Sequence, residues 1–120
     1  MVNTDQQRLQ QVLHNLMSNA IKFSAKGKQI TIHSHVVKSE HKKQEMEKYP
    51  AFKNSEAMND NSDLLVVSVI DQGIGIREED QQKLFKMFGF IDKTKDINTQ
   101  GIGLGLNISK QIVKQFGGFI

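Results

Sequence analysis

The sequence predicts one α+β domain, and three stretches predict it. They are an amphipathic helical segment at 5–23, an apolar strand-like run at 64–70, and a second helical segment opening on Gly101-Ile102-Gly103-Leu104-Gly105. A chain of 120 residues can bury one core around such elements but not two.

The first helix is predicted over Asp5 to Phe23. Leu9, Val12, Leu13, Leu16, Met17 and Ala20 recur at helical spacing as an apolar stripe. Thr4 and Gln7 are spaced as a capping box, and Ser24 to Gly27 form a polar stop. Beside that stripe run Arg8, Gln11, Asn15, Asn19 and Lys22, with Asn19 about 60° from its centre. Two amides and an ammonium at the border of an apolar face suit a half-buried site for a polyanion and its metal. A solvated polar face is the alternative, and this helix alone leaves it open.

Gln29 to Val37 alternates with the period of a strand. Ile30, Ile32 and Val36 are expected on the buried face, with Thr31, His33 and His35 on the outer one. Two histidines there lack the further ligands a metal site needs, so they read as solvated, and His14, opposite Leu16, reads as exposed. Residues 38–63 are polar and hold the only proline, Pro50, so they read as a mobile insertion within the domain. In it Met46, Tyr49 and Phe52 could pack locally or meet a partner. Leu64 to Ile70 is valine-rich and nearly all apolar, as a central strand is. Leu65, Val67 and Val69 share a face with Asp71, a costly place for an unpaired carboxylate.

Ile76 to Phe85 starts acidic and ends apolar, as a short helix does, and Asp92 to Gln100 reads as a loop. In the last helix Leu104, Ile108, Ile112 and Phe116 form a stripe flanked by Leu106 and Val113. Gly117-Gly118 closes it, and Phe119-Ile120 reads as the start of a strand.

Composition narrows the classes. Hydrophobic content of 38% and charged content of 24% are those of a soluble globular protein. The absence of cysteine excludes disulfides and thiolate metal sites and fits a cytoplasmic location. No run reaches membrane-spanning length and no leader is recognisable, so neither anchor nor secretion signal is expected in this chain. The net charge of +3 favours an anionic ligand slightly. Without a basic stripe interleaved with aromatics it does not point to nucleic acid.

Glycines leading into a helix suit a phosphate, which backbone N–H groups and the helix dipole receive. The Walker pattern fails because Gly27-Lys28 is followed by Gln29. The dinucleotide fingerprint fails because Gly101, Gly103 and Gly105 are wrongly spaced and follow a polar loop. Asp71-x-Gly73-x-Gly75, read alone, is a strand ending in a turn.

A fourth pattern fits in order along the chain. Asp5-x-x-Arg8-Leu9-x-Gln11-Val12-Leu13-x-Asn15-Leu16-x-x-Asn19-Ala20-x-Lys22-Phe23 resembles the N-box of sensor histidine kinases. Asp71-x-Gly73-x-Gly75 resembles their first glycine box, Phe85-x-x-Phe88 their phenylalanine box, and Gly101-x-Gly103-Leu104-Gly105-Leu106 their second glycine box. The resemblance implies the two-layer α/β sandwich shared with gyrase-type, Hsp90-type and mismatch-repair ATPases, in which helices cover one face of a mixed sheet and ATP lies between helices and a lid.

It also implies roles. Asp71 would accept a hydrogen bond from the adenine amino group, and Asn19 would hold Mg²⁺ through its amide oxygen. Asn15 and Lys22 would contact phosphates or the ion's waters as the catalytic pair. Gly73, Gly75, Gly101, Gly103, Leu104 and Gly105 would bring backbone close to the nucleotide. Phe85 and Phe88 would anchor the lid, and Lys93 or Lys95 would reach the γ-phosphate. The superfamily's hydrolases carry a glutamate four residues before the metal-binding asparagine. Here that residue is Asn15, and an amide cannot take a proton from water, so phosphoryl transfer is expected over hydrolysis. The expected partners are ATP, a histidine phosphoacceptor and dimerisation domain, and a response regulator receiver domain. A nucleotide-binding module without transfer is the alternative, with a hydrolysing ATPase behind it. No histidine of this chain has the acidic-then-proline context of the family's acceptor, so the acceptor is expected on a separate domain or chain.

The sequence departs from the pattern at Ile102, where threonine is common, and in the length of the 38–63 insertion. An edge strand before the first helix and a closing hairpin after Gly118 are also missing, so the domain reads as truncated at both ends.

Overall fold

A computed structural model of the chain describes residues 5–49, 60–86 and 104–120. In order these form α1 (Gln6–Phe23), β1 (Thr31–Val37), a 3₁₀ turn (Ser39–His41), α2 (Lys42–Met46), β2 (Leu64–Ile70), α3 (Glu78–Gln81) and α4 (Gly105–Gln115). The arrangement is α+β, with helices beside a two-stranded sheet.

α1 takes its expected length, but Asp5 is its N-cap. The Asp5 carboxylate accepts the Arg8 N–H at 3.1 Å, the role expected of Thr4, which lies outside the described residues. β1 and β2 pair antiparallel, from Thr31 opposite Ile70 at one end to Val37 opposite Leu64 at the other. β2 spans the run the apolar pattern predicts. β1 begins two residues later than Gln29, and its burial is reversed. Ile32 and Val36 are 51% and 55% exposed, whereas His35 is half-buried and Val37 buried. Cover is confined to the end of the strand, at His35 and Val37, while Thr31 and His33 on the same face are exposed. α2 lies on that side: His35 Nε2 meets Glu45 Oε1 at 3.3 Å, and Met46 is buried. Which face of a strand is buried depends on what covers it, and that element comes from the segment expected to be loop.

Residues 38–49 thus carry a 3₁₀ turn and a short helix. Lys38 pairs with Asp63 at 2.7 Å, drawing the two strand ends of the insertion together. Lys42, only 3% exposed, pairs with Asp60 Oδ1 at 2.6 Å and also donates to the Asp60 carbonyl. A lysine is buried only when its charge is met in this way. Phe52 falls outside the described residues.

The core lies where α1 meets α4, with Val12 and Ala20 buried on one helix and Ser109 and Ile112 on the other. Burying Val12 or Ile112 contributes about 1.5–3 kcal/mol each. α4 starts at Gly105, and its innermost residues are Ser109 and Ile112, while Ile108 and Phe116 are about 40% exposed. The predicted stripe is therefore rotated toward a serine that an apolar count passes over. Gly117, at φ 73°, ends the helix: its N–H reaches Lys114 O and the Gly118 N–H reaches Val113 O, a Schellman closure. Phe119 and Ile120 form no strand.

Candidate functional site

Three contacts link the sequence motifs, two of them to α1 and the third to α4. The first is at the C-terminus of α1. The Phe23 carbonyl, one of the orphan acceptors of a helix end, receives the Ile74 N–H at 3.2 Å. Gly73 lies so close that a Cβ there would stand 2.6 Å from Phe23 O and 3.0 Å from Phe23 C. This is a position for glycine because another backbone occupies the space. The Gln29 N–H, donating to Gln72 Oε1 at 3.4 Å, ties the loop after α1 to the same turn.

The second contact is at the middle of α1. Asn15 is half-buried, and its Nδ2 donates to Ser109 Oγ on α4 at 2.9 Å. Gly105, one turn earlier on α4, lies on the same carboxamide: a Cβ there would collide with Asn15 Oδ1 and stand 2.7 Å from Nδ2. The third contact joins α4 to the segment after α3. Asn107 Nδ2 donates to the Phe85 carbonyl at 2.9 Å, and Lys110 Nζ lies 5.6 Å from the Phe85 ring centroid. α3 is shorter than the Ile76 to Phe85 expected. Asp80, 3% exposed, holds it to its flanks through Lys83 at 2.8 Å and Arg77 at 2.9 Å, and these cations keep its carboxyl below the usual carboxylate range.

Asp71 is exposed rather than buried on a core face. Its Oδ1 accepts the Gly73 N–H at 2.7 Å, so the carboxylate closes its own turn and is held in one orientation. Gly75 follows at φ 71°, a conformation natural to glycine. Asn19 is half-buried, one turn beyond Asn15 toward the C-terminus of α1. Lys22 is half-buried, with Nζ 5.5 Å from the Phe23 ring centroid. Leu104 caps α4 and its carbonyl accepts the Ile108 N–H at 2.9 Å. Phe88, Lys93, Lys95, Gly101, Ile102 and Gly103 lie outside the described residues.

Sequence reasoning missed Ser109 and Asn107. For Ser109 a signal existed: two small residues four apart, Gly105 and Ser109, share one helix face and permit close approach. For Asn107 none did, because its partner is a backbone carbonyl 22 residues away.

The family model for histidine kinase-, DNA gyrase B-, and HSP90-like ATPases matches residues 4–120. The sensor histidine kinase WalK of Bacillus subtilis (strain 168) is 35% identical over 119 residues, 99% of this chain and 16% of that protein. The hybrid signal transduction histidine kinase B of Dictyostelium discoideum is 37% identical over 98% of this chain and 5% of its own length. The sensor histidine kinase GacS of Pseudomonas protegens (strain DSM 19095 / LMG 27888 / CFBP 6595 / CHA0) is 34% identical over 97% of this chain and 10% of its own. The chain thus spans a sixth or less of the length of these three relatives. The chain belongs to the histidine kinase-, DNA gyrase B-, and HSP90-like ATPase family. Among the described residues no helix is long and apolar enough to cross a membrane.

Proposed function

We propose that this chain holds Mg-ATP and presents its γ-phosphoryl group to a histidine on a separate domain or chain, from which a receiver domain takes it onward. The observation that carries the reading is that α1 is bonded to the first glycine motif at Phe23 and packed directly against Gly105 of the second at Asn15, so adenine-side and phosphate-side groups share one element. In the transfer, the acceptor's ring nitrogen forms a bond to the γ-phosphorus while the bond to the β–γ bridging oxygen breaks and ADP leaves.

Asp71, oriented by the Gly73 N–H, has a second oxygen available in its chemistry to accept the adenine amino group. The first turn of α4 offers backbone N–H groups without intrahelical partners, which suit phosphate oxygens. Asn19 brings an amide oxygen, the hard donor that Mg²⁺ takes alongside phosphate oxygens, so the residues present fit that ion. Bound there, Mg²⁺ would neutralise phosphate charge. The chain's own contribution is position: phosphoryl transfer rests on alignment and electrostatics rather than on covalent chemistry by the protein. Asn15 supports transfer over hydrolysis, because an amide already donating to Ser109 supplies no base for water.

Calorimetric titration of the 120-residue chain with ATP, with and without Mg²⁺, tests this. Mg²⁺-dependent binding is expected, and Asn19→Ala should remove that dependence while α1 stays helical, since alanine favours the helix more than asparagine. Unchanged Mg²⁺ dependence in Asn19→Ala would sink the metal assignment. Binding without transfer to an added acceptor domain would leave a nucleotide-binding module.

A further inference from the structure

Ser109 is 1% exposed, in the middle of an amphipathic helix, at a position where an apolar side chain would pack without cost to the helix. Its hydroxyl accepts from Asn15 Nδ2 at 2.9 Å, across 94 residues of sequence. Gly105, four residues earlier, faces the same carboxamide with no room for a Cβ. Asn15 is thereby held by α4 on two sides, one a bond and one a surface. The next turn of α1 toward its C-terminus brings Asn19, and the next turn of α4 toward its N-terminus brings the helix's unsatisfied N–H groups.

We infer that Ser109 is a positioning residue for the nucleotide's phosphates. By capturing the Asn15 amide it sets the start of α4 against α1, so that Asn19 and the α4 N-terminus address one triphosphate. Asn15 on this view works through α4: one of its two amide N–H groups is engaged by Ser109, and its oxygen would repel an anionic oxygen. The inference rests on the nucleotide reading above. It extends that reading to a residue whose side chain faces another helix.

Positioning and mere stabilisation separate experimentally, because Asp71 meets the base while α4 meets the phosphates. Ser109→Ala in the 120-residue chain is expected to weaken Mg-ATP about threefold to tenfold, the range for losing one neutral hydrogen bond, and to leave adenosine affinity unchanged. Ser109→Thr keeps the hydroxyl and should recover Mg-ATP affinity. Gly105→Ala provides a second approach: alanine favours the helix, yet its Cβ meets the Asn15 carboxamide, so the same phosphate-selective loss is expected. Equal losses of Mg-ATP and adenosine in both alanine variants, or no loss in either, would overturn the inference while wild-type binding stands. A wild-type chain that binds neither ligand would overturn the nucleotide reading itself, and with it this inference.

Discussion

The two ends of the β1–β2 hairpin are held by different chemistry. At the Thr31–Ile70 end, next to the candidate site, the fastenings are mostly backbone bonds and close backbone contacts. Ile74 N–H meets Phe23 O, Gly73 lies against the same carbonyl, and one carboxylate, Asp71, closes the turn through the Gly73 N–H; further back along α1 the neutral Asn15 meets Ser109. At the Val37–Leu64 end they are charged: Lys38 with Asp63, Lys42 with Asp60, and Glu45 shared by His35 and Lys48. Neutral bonds and close backbone contacts fix distances to a few tenths of an ångström and do not respond to salt or to acid. Ion pairs at or near the surface tolerate variation in length and sequence but weaken with salt and with acid. A site that must place a phosphoryl group suits the first kind of fastening. A long polar insertion suits the second.

The largest effect is expected from filling the backbone contact at the site end. In Gly73→Ala the added Cβ meets two main-chain atoms of Phe23, neither of which can swing away, so overpacking should cost about 1–3 kcal/mol. For a domain this small that lowers Tm by roughly 5 °C or more. A thermal melt matching wild type would show that the turn does not press on the end of α1.

A smaller effect is expected at Asp71, read as affinity rather than stability. Asp71→Asn keeps an acceptor for the Gly73 N–H but loses the charge facing the base, so ATP should weaken roughly tenfold and GTP less. Equal affinities before and after would leave Asp71 as a turn residue alone.

The smallest effect, confined to the charged end, should come from acid. Lys42, then Ser62, hold the Asp60 carboxyl down to about 2 from an ordinary 3.8, and Lys38 likewise lowers Asp63. A carboxyl with a depressed folded-state pKa contributes stability that is complete above its unfolded value and lost as pH falls through the folded one. Between pH 4 and about 2, hydrogen exchange in 38–49 should therefore quicken before exchange in α1 and α4 does. Asp60→Asn should bring part of that loosening to neutral pH. Simultaneous loss of protection at both ends would mean that the insertion and the site open as one unit.

The clearest elements in the sequence were those whose signal is local. α1 and β2 appear over the residues their periodicity marks, because a helix with an apolar stripe and a short valine-rich strand satisfy their own backbones and need only one neighbour. The N-box amides and the first glycine box were read from the resemblance to sensor histidine kinases, since spacing alone left a solvated face and a simple turn open. What spacing could not convey was partnership. The buried face of β1 depended on α2, a five-residue helix too short to show a period. The inner face of α4 depended on Ser109, whose hydroxyl is acceptable inside only because Asn15 meets it.

By itself the sequence determined the class of domain, the helix that carries the polar stripe, and the order of its motifs, since each follows from residues within one or two turns or a single strand. The tertiary structure alone decided that Gly73 and Gly105 serve as surfaces for α1 and that Asn15 meets another helix. The physical reason is that a hydrogen bond or a steric limit belongs to two groups at once. When those groups are 50 or 90 residues apart, neither one's neighbours in the chain record the other.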